Sequence, residues 1–182
     1  TRKGLWGGII REFRDFLPEI KDDAVTTLLE GNTPLVECVN LKDIFGDLRL
    51  MLKFEGLNPT GSFKDRGMTM AVSKSREEGA EAIICASTGN TSAAAAAYAA
   101  KAGMKAFVLV PDGAIAMGKL SQAIMHGAMV LQIKGNFDEA LSIVKEITND
   151  YPIKMVNSIN PFRIEGQKTG AFEVCEHLGH AP

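Results

Sequence analysis

Cysteine is scarce and badly placed for any framework: Cys38, Cys85 and Cys175 are an odd number with no Cys-x-x-Cys among them. That argues against a disulfide scaffold or a thiolate zinc site. His177 and His180 read as solvated or capping residues near a helix end, so no metal is expected. Long apolar runs are missing too. Nothing approaches the ~18 residues of a membrane span, and Thr1 to Arg11 has no continuous apolar core of the secretory kind. Excess charge of either sign is absent: the formal net charge is -2, which gives no pull toward nucleic acid or an anionic membrane. A cytoplasmic location, with neither nucleic acid nor membrane as partner, is the expectation. Nucleotide signatures are absent or broken. No Gly-x-Gly-x-x-Gly follows a strand-like run, and a P-loop-like run from Gly113 reaches Gly118-Lys119 and then has Leu120 where a magnesium-holding Ser or Thr belongs. Ser121 comes one position late, about 100° away round a helix.

What is present is ordinary globular composition, 46% hydrophobic and 23% charged, in 182 residues. This is enough for one domain, or for one domain and part of another. Ile9, Ile10, Phe13, Phe16 and Leu17 lie at helical spacing and predict an amphipathic helix over 8–17. Leu41 to Phe45 reads as a helical turn, and the alternation from Leu48 to Glu55 as a strand. After a helix from Phe63 to about Glu78, short apolar runs alternate with longer helical patterns. Strands are expected at Ala82–Ala86, Ala106–Val110, Met129–Ile133 and Ile153–Val156. Helices are expected at Thr91–Ala102, Ala116–His126, Phe137–Tyr151 and Phe162–Leu178. Short apolar runs without alternation suit a parallel sheet covered on both faces. The fold class is therefore α/β, an open doubly wound sheet whose ligands bind beyond the carboxyl ends of the strands.

Three polar clusters fall at such ends. In Asn58-Pro59-Thr60-Gly61-Ser62-Phe63-Lys64-Asp65, Ser62 reads as an N-cap with Asp65 completing a capping box, which sets Lys64 in the first helical turn. A cation is disfavoured there by the helix dipole. If also desolvated, such a lysine is a candidate Schiff-base amine; the alternative is a solvated lysine. Ser87-Thr88-Gly89-Asn90-Thr91-Ser92 offers hydroxyls, a glycine and helix N–H groups to an anion, or else is a Ser/Thr-rich cap. The third cluster is Asn157-Ser158 with Asn160-Pro161-Phe162-Arg163, followed by Lys168.

Together NPTGSFKDRG (58–67), STGNTSAA (87–94) and NPFRIEGQKT (160–169), with EGNTPL (30–35) before them, resemble the threonine synthases. These are pyridoxal phosphate enzymes of the tryptophan-synthase-β-like fold, fold type II. The resemblance implies that Lys64 forms the Schiff base with pyridoxal 5'-phosphate and shuttles protons at the substrate's Cα and Cβ. It implies that Asn90 bonds the cofactor's 3-oxygen, and that Ser87, Thr88 and Thr91 take the substrate's α-carboxylate or phosphate. Asn157, Ser158 and Arg163 would face the substrate phosphate, with Lys168 a weaker candidate. The implied reaction converts O-phospho-L-homoserine and water to L-threonine and phosphate, in a protein that is a homodimer at full length. The family's cofactor-phosphate loop and pyridine-nitrogen partner come later than residue 182. Residues 1–53 and 157–182 are thus expected to belong to a larger domain and 54–156 to form a smaller one, and activity of the 182-residue chain alone is doubtful. A threonine or serine dehydratase of the same fold is the alternative within enzymes, and an inactive truncated binding unit the alternative outside them.

Overall fold

The computed structural model describes residues 4–41, 44, 46, 48–112 and 117–182. The predicted turn at Leu41 to Phe45, the start of the predicted helix at Ala116 and the Gly113 end of the P-loop-like run fall largely outside these residues.

The chain opens with a short helix α1 (Ile9–Glu12), one 3-10 turn (Arg14–Phe16), and the strands β1 (Leu35–Glu37) and β2 (Met51–Lys53), which pair antiparallel. Helix α2 (Lys64–Glu77) leads into a regular alternation: β3 (Ala82–Ala86), α3 (Asn90–Ala102), β4 (Lys105–Pro111), α4 (Met117–Met125), β5 (Met129–Ile133), α5 (Phe137–Asp150) and β6 (Ile153–Met155). Helices α6 (Pro161–Gln167) and α7 (Thr169–Leu178) follow. The four later strands form one parallel sheet in the order β5-β4-β3-β6.

Successive side chains of a strand point to opposite faces, and the sheet's two cores divide accordingly. Ile83 and Cys85 of β3 pack with Val108 and Val110 of β4 against α2, α3 and α4. Ile84, Ala86 and Leu109 pack against Ala140 and Val144 of α5. This is the doubly wound arrangement expected. The alanines of α3 are nearly all buried, since a helix without bulk can lie close on the sheet. Gly103, in the left-handed region at φ 71, closes α3, and Asn136 with Glu139 forms a complete capping box on α5.

Three expectations need correction. The 8–17 helix is one α-turn and one 3-10 turn, because Leu17 precedes Pro18 and is held extended at ψ 154. Phe13 of this segment is buried against Trp6 and Phe172, while Phe16 is 66% exposed. The strand predicted over 48–55 is ordered as β only from Met51 to Lys53. The 162–178 helix is interrupted at Lys168, where the Thr169 hydroxyl donates to the Gly166 carbonyl at 2.6 Å and tightens the turn.

The strand order has a functional corollary. From β3 the chain proceeds to β4 and β5 on one side, then returns to place β6 on the other. The reversal lies between β3 and β6, and the carboxyl ends flanking such a reversal form the crevice of doubly wound sheets.

Candidate active site

Lys64 is the first residue of α2, and its amine stands 4.2 Å from the centroid of the Phe63 ring. Ser62 is not the N-cap that the sequence suggested: Phe63 holds that position with no side-chain cap, and the Ser62 hydroxyl accepts from Lys64 N at 3.2 Å from one residue before it. The capping box is not formed: the buried Asp65 carboxylate turns back to Thr60, accepting from its hydroxyl at 2.8 Å and from its amide. Asp65 therefore ties the loop before the helix to its first turn. Burial raises its pKa to about 6, against the pull of the Thr60 donors. The Lys64 amine is pushed below its ordinary value by burial first and by the Arg163 guanidinium second. Both causes disfavour the ammonium and leave a better nucleophile.

At the end of β3, Ser87 N donates to Leu109 O and so stays attached to the sheet, while Ser87 Oγ accepts from Gly89 N at 3.2 Å. Helix α3 then begins at Asn90 with no side-chain cap and no acidic residue in its first turn. This decides against the capping reading of the Ser/Thr cluster. The Thr88, Asn90 and Thr91 side chains, all half-buried, make no hydrogen bond among the described residues. Uncapped helix N–H groups with idle hydroxyls beside them suit a bound anion.

From β6, Asn157 is brought directly onto β3, its carboxamide paired with the Ala86 backbone. Ser158 is exposed beside it. Arg163, on α6, is 0% exposed. Its Nη1 donates to Val156 O at 2.7 Å, but Nε and Nη2 are buried without any hydrogen-bond partner. Burial lowers its pKa, with the neighbouring Cys85 sulfur acting in the opposite sense. Burial in turn raises the Cys85 thiol to about 12, so Cys85 is an inert neutral group. Lys168 lies apart, paired with Glu165 at 2.5 Å. Lys64, the Ser87 loop, Asn157 and Arg163 thus converge at the β3/β6 crevice, and Lys168 does not join them.

Sequence reasoning missed the ionic pin beneath this site. Arg66 donates from Nε and Nη2 to Glu55 at 2.7 and 2.8 Å, from Nη1 and Nη2 to Glu173 at 2.7 and 2.9 Å, and from Nη2 to Thr33 Oγ1 at 3.1 Å. Lys53 adds a contact of 2.6 Å to Glu173. Nearby, buried Glu30 accepts from Tyr98 OH at 2.9 Å. Charged Arg66 on the same helical stripe as Met70 and Ser73, and one bulky hydroxyl in an alanine helix, were the available signals.

The pyridoxal-phosphate dependent enzyme family matches residues 26–182. This chain belongs to it. Over 177 residues it is 59% identical to a threonine synthase of Halalkalibacterium halodurans, a match covering 97% of this chain and 50% of that protein. It is 58% identical to one of Synechocystis (97% and 47%) and 51% identical to one of Methanocaldococcus jannaschii (96% and 42%). The chain spans about half the length of the curated relatives it matches. Among solved structures, serine racemase of Dictyostelium discoideum superposes with a TM-score of 0.70 at 28% identity, covering 81% of this chain and 48% of that one. Maize serine racemase, at 23% identity, shows the same fold with a TM-score of 0.73, covering 82% and 45%. Fold type II, expected from the sequence, is borne out.

Proposed function

We propose that these residues form the lysine-bearing part of a threonine synthase acting on O-phospho-L-homoserine, in a cytoplasmic homodimeric enzyme whose smaller domain comprises residues 54–156. The observation that carries the choice of substrate is Arg163: a buried guanidinium beside the lysine with two nitrogens that donate to nothing among the described residues is an arrangement that a phosphate or other oxyanion completes. A dehydratase substrate has no phosphate to offer it.

Pyridoxal phosphate fits the chain's own groups along one edge, since a half-buried amine of lowered pKa and an Asn90 amide without a partner suit its aldehyde and adjacent 3-oxygen. When bound, it supplies an electron sink for negative charge at the substrate's carbons. The rest belongs to the protein. Lys64 would hold the cofactor through its amine and, once released, move protons at Cα and Cβ; the burial and the Arg163 charge that lower its pKa favour the neutral amine, the form that acts as a base. The uncapped start of α3, with Ser87, Thr88 and Thr91, would fix the substrate's carboxylate or phosphate. Arg163 and Ser158 would hold the phosphate, with Asn157 at the same place. The β3/β6 position of all these groups keeps the reacting end of the substrate against the sheet rather than in bulk water.

The test uses a protein of full family length carrying these 182 residues, assayed for phosphate release from O-phosphohomoserine. Arg163→Ala should lower kcat/KM about ten- to a hundredfold, the loss of a charge-assisted hydrogen bond of roughly 1.5–3 kcal/mol. Binding of an analogue without phosphate should change little, and borohydride should label Lys64. Equal loss for both ligands would make Arg163 structural and favour the dehydratase. The 182 residues by themselves should release phosphate slowly or not at all.

A further inference from the structure

The backbone of Ala86, the last residue of β3, is paired with one side chain. Ala86 N donates to Asn157 Oδ1 at 3.1 Å, and Asn157 Nδ2 donates to Ala86 O at 2.9 Å. The ordinary ladder between β3 and β6 ends one step earlier, where Val156 N donates to Ile84 O at 3.0 Å. Past that point the carboxamide reproduces the donor and acceptor that another strand residue would present. Its orientation follows from the partners, because the Ala86 amide needs an oxygen and the Ala86 carbonyl a donor. At 6% exposure the pair is shielded from competing water. Asn160 behaves differently: its Nδ2 donates to Met155 O and its Oδ1 caps α6.

Ala86 is the residue from which the Ser87–Thr91 loop departs. We propose that Asn157 is a positioning residue, whose carboxamide clasps the Ala86 peptide and so sets where that loop meets its ligand. The neighbouring Val156 carbonyl holds Arg163 Nη1. Two consecutive residues therefore place the two anion-facing groups, one through a side chain and one through a carbonyl. The inference rests on the proposed anion site only for the ligand, and not for the clasp itself.

Two measurements on the full chain separate these. In the first, amide exchange is followed by NMR. Asn157→Ala should speed exchange at Ala86 N–H by about 100-fold relative to Ile84, a local opening rather than global unfolding. Unchanged exchange at Ala86 overturns the clasp. Should Asn157→Ala fail to fold, the unaltered protein decides: the Asn157 side-chain amide protons must exchange far more slowly than those of exposed Asn149, and equal rates overturn the clasp. In the second, inorganic phosphate is titrated while the Ser87–Thr91 amide shifts are recorded for the parent, Asn157→Ala, Ser87→Ala and the double variant. Asn157→Ala should weaken phosphate about tenfold, and adding Ser87→Ala should weaken it little further, because both act through one loop. Full additivity would make Asn157 a direct ligand and overturn the positioning role. No phosphate response in the parent would overturn the anion-site reading, leaving the exchange measurement to decide the clasp.

Discussion

Arg66 and Arg163 are the two bulkiest fully buried side chains among the described residues, and they sit on touching helices in opposite electrostatic circumstances. Arg66 is saturated: two carboxylates meet it in bidentate fashion and two threonine hydroxyls sit at its edges. Arg163 has one backbone carbonyl and two idle nitrogens. Burying a guanidinium costs several kcal/mol unless its hydrogen bonds and charge are met inside. The first arrangement meets that cost within the fold. The second leaves it unmet within the fold, and the anion-binding role proposed for Arg163 rests on that difference.

The largest expected effect comes from breaking the saturated side. Glu173→Ala strips Arg66 and Lys53 of their shared carboxylate and frees Asn32 N. The urea midpoint should fall by the equivalent of about 3–5 kcal/mol. A loss below about 1 kcal/mol would mean that the cluster is not a pin. Next comes Gly166→Ala. A Cβ there would stand 2.0 Å from the Arg66 carbonyl, which cannot give way as a flexible side chain could. Prying α2 from α6 should cost about 2–3 kcal/mol, measured in the same titration.

Acid separates the two carboxylates that meet Arg66 from Asp65, which meets no arginine among the described residues. Burial acts to raise Glu55 and Glu173, but Arg66 and the surrounding donors outweigh it and hold both below the ordinary 4.5. Their stabilisation is present above that value and fades as pH falls through the lowered one. Asp65 behaves in the opposite way. Between its ordinary 3.8 and about 6 the folded protein keeps a proton that the unfolded chain releases, so stability declines as pH rises through that window and is level above it. Asp65→Asn should remove that decline, worth about 3 kcal/mol. An unchanged pH profile would show that Asp65 ionises normally. The smallest effect is the most telling. Arg163→Met should leave stability within about 1 kcal/mol of the parent or raise it, as replacement of an uncompensated buried charge by an apolar group of similar volume does. The pH at which Lys64 becomes reactive to acylation should rise, because the cation that lowers its pKa is gone. Destabilisation as large as that of Glu173→Ala would erase the contrast between the arginines.

The sheet was readable because its strands are short apolar runs set off by glycine, as at Gly79, Gly103 and Gly127, which all adopt positive φ. The candidate residues were readable as polar clusters at strand ends. What escaped are interactions without periodicity. Asp65 suits either a capping box or the Thr60 loop, and only the path of the chain before the helix chooses. Arg66 looks like a surface residue until Glu55 and Glu173, 118 positions apart in sequence numbering, are seen to converge on it. Asn157 looks like a ligand-facing amide, and nothing in the sequence says that its partner is the peptide of Ala86.

The contact between Gly67 and Gly166 has a kinematic consequence. A Cβ on Gly67 would meet the Arg163 backbone oxygen and the Arg163 Nε at 2.7 Å, and one on Gly166 would meet the Arg66 carbonyl at 2.0 Å and Gly67 Cα at 2.9 Å, so at Gly166 the two helices touch backbone to backbone. Lys64 stands three residues before one glycine and Arg163 three residues before the other. Neither helix can slide or roll here without carrying the other, so the spacing of the Lys64 and Arg163 backbone positions is set by main-chain geometry. Any opening or closing of the crevice that moves the start of one helix must then carry the other with it, so the two backbone segments that bear Lys64 and Arg163 travel as a single rigid yoke.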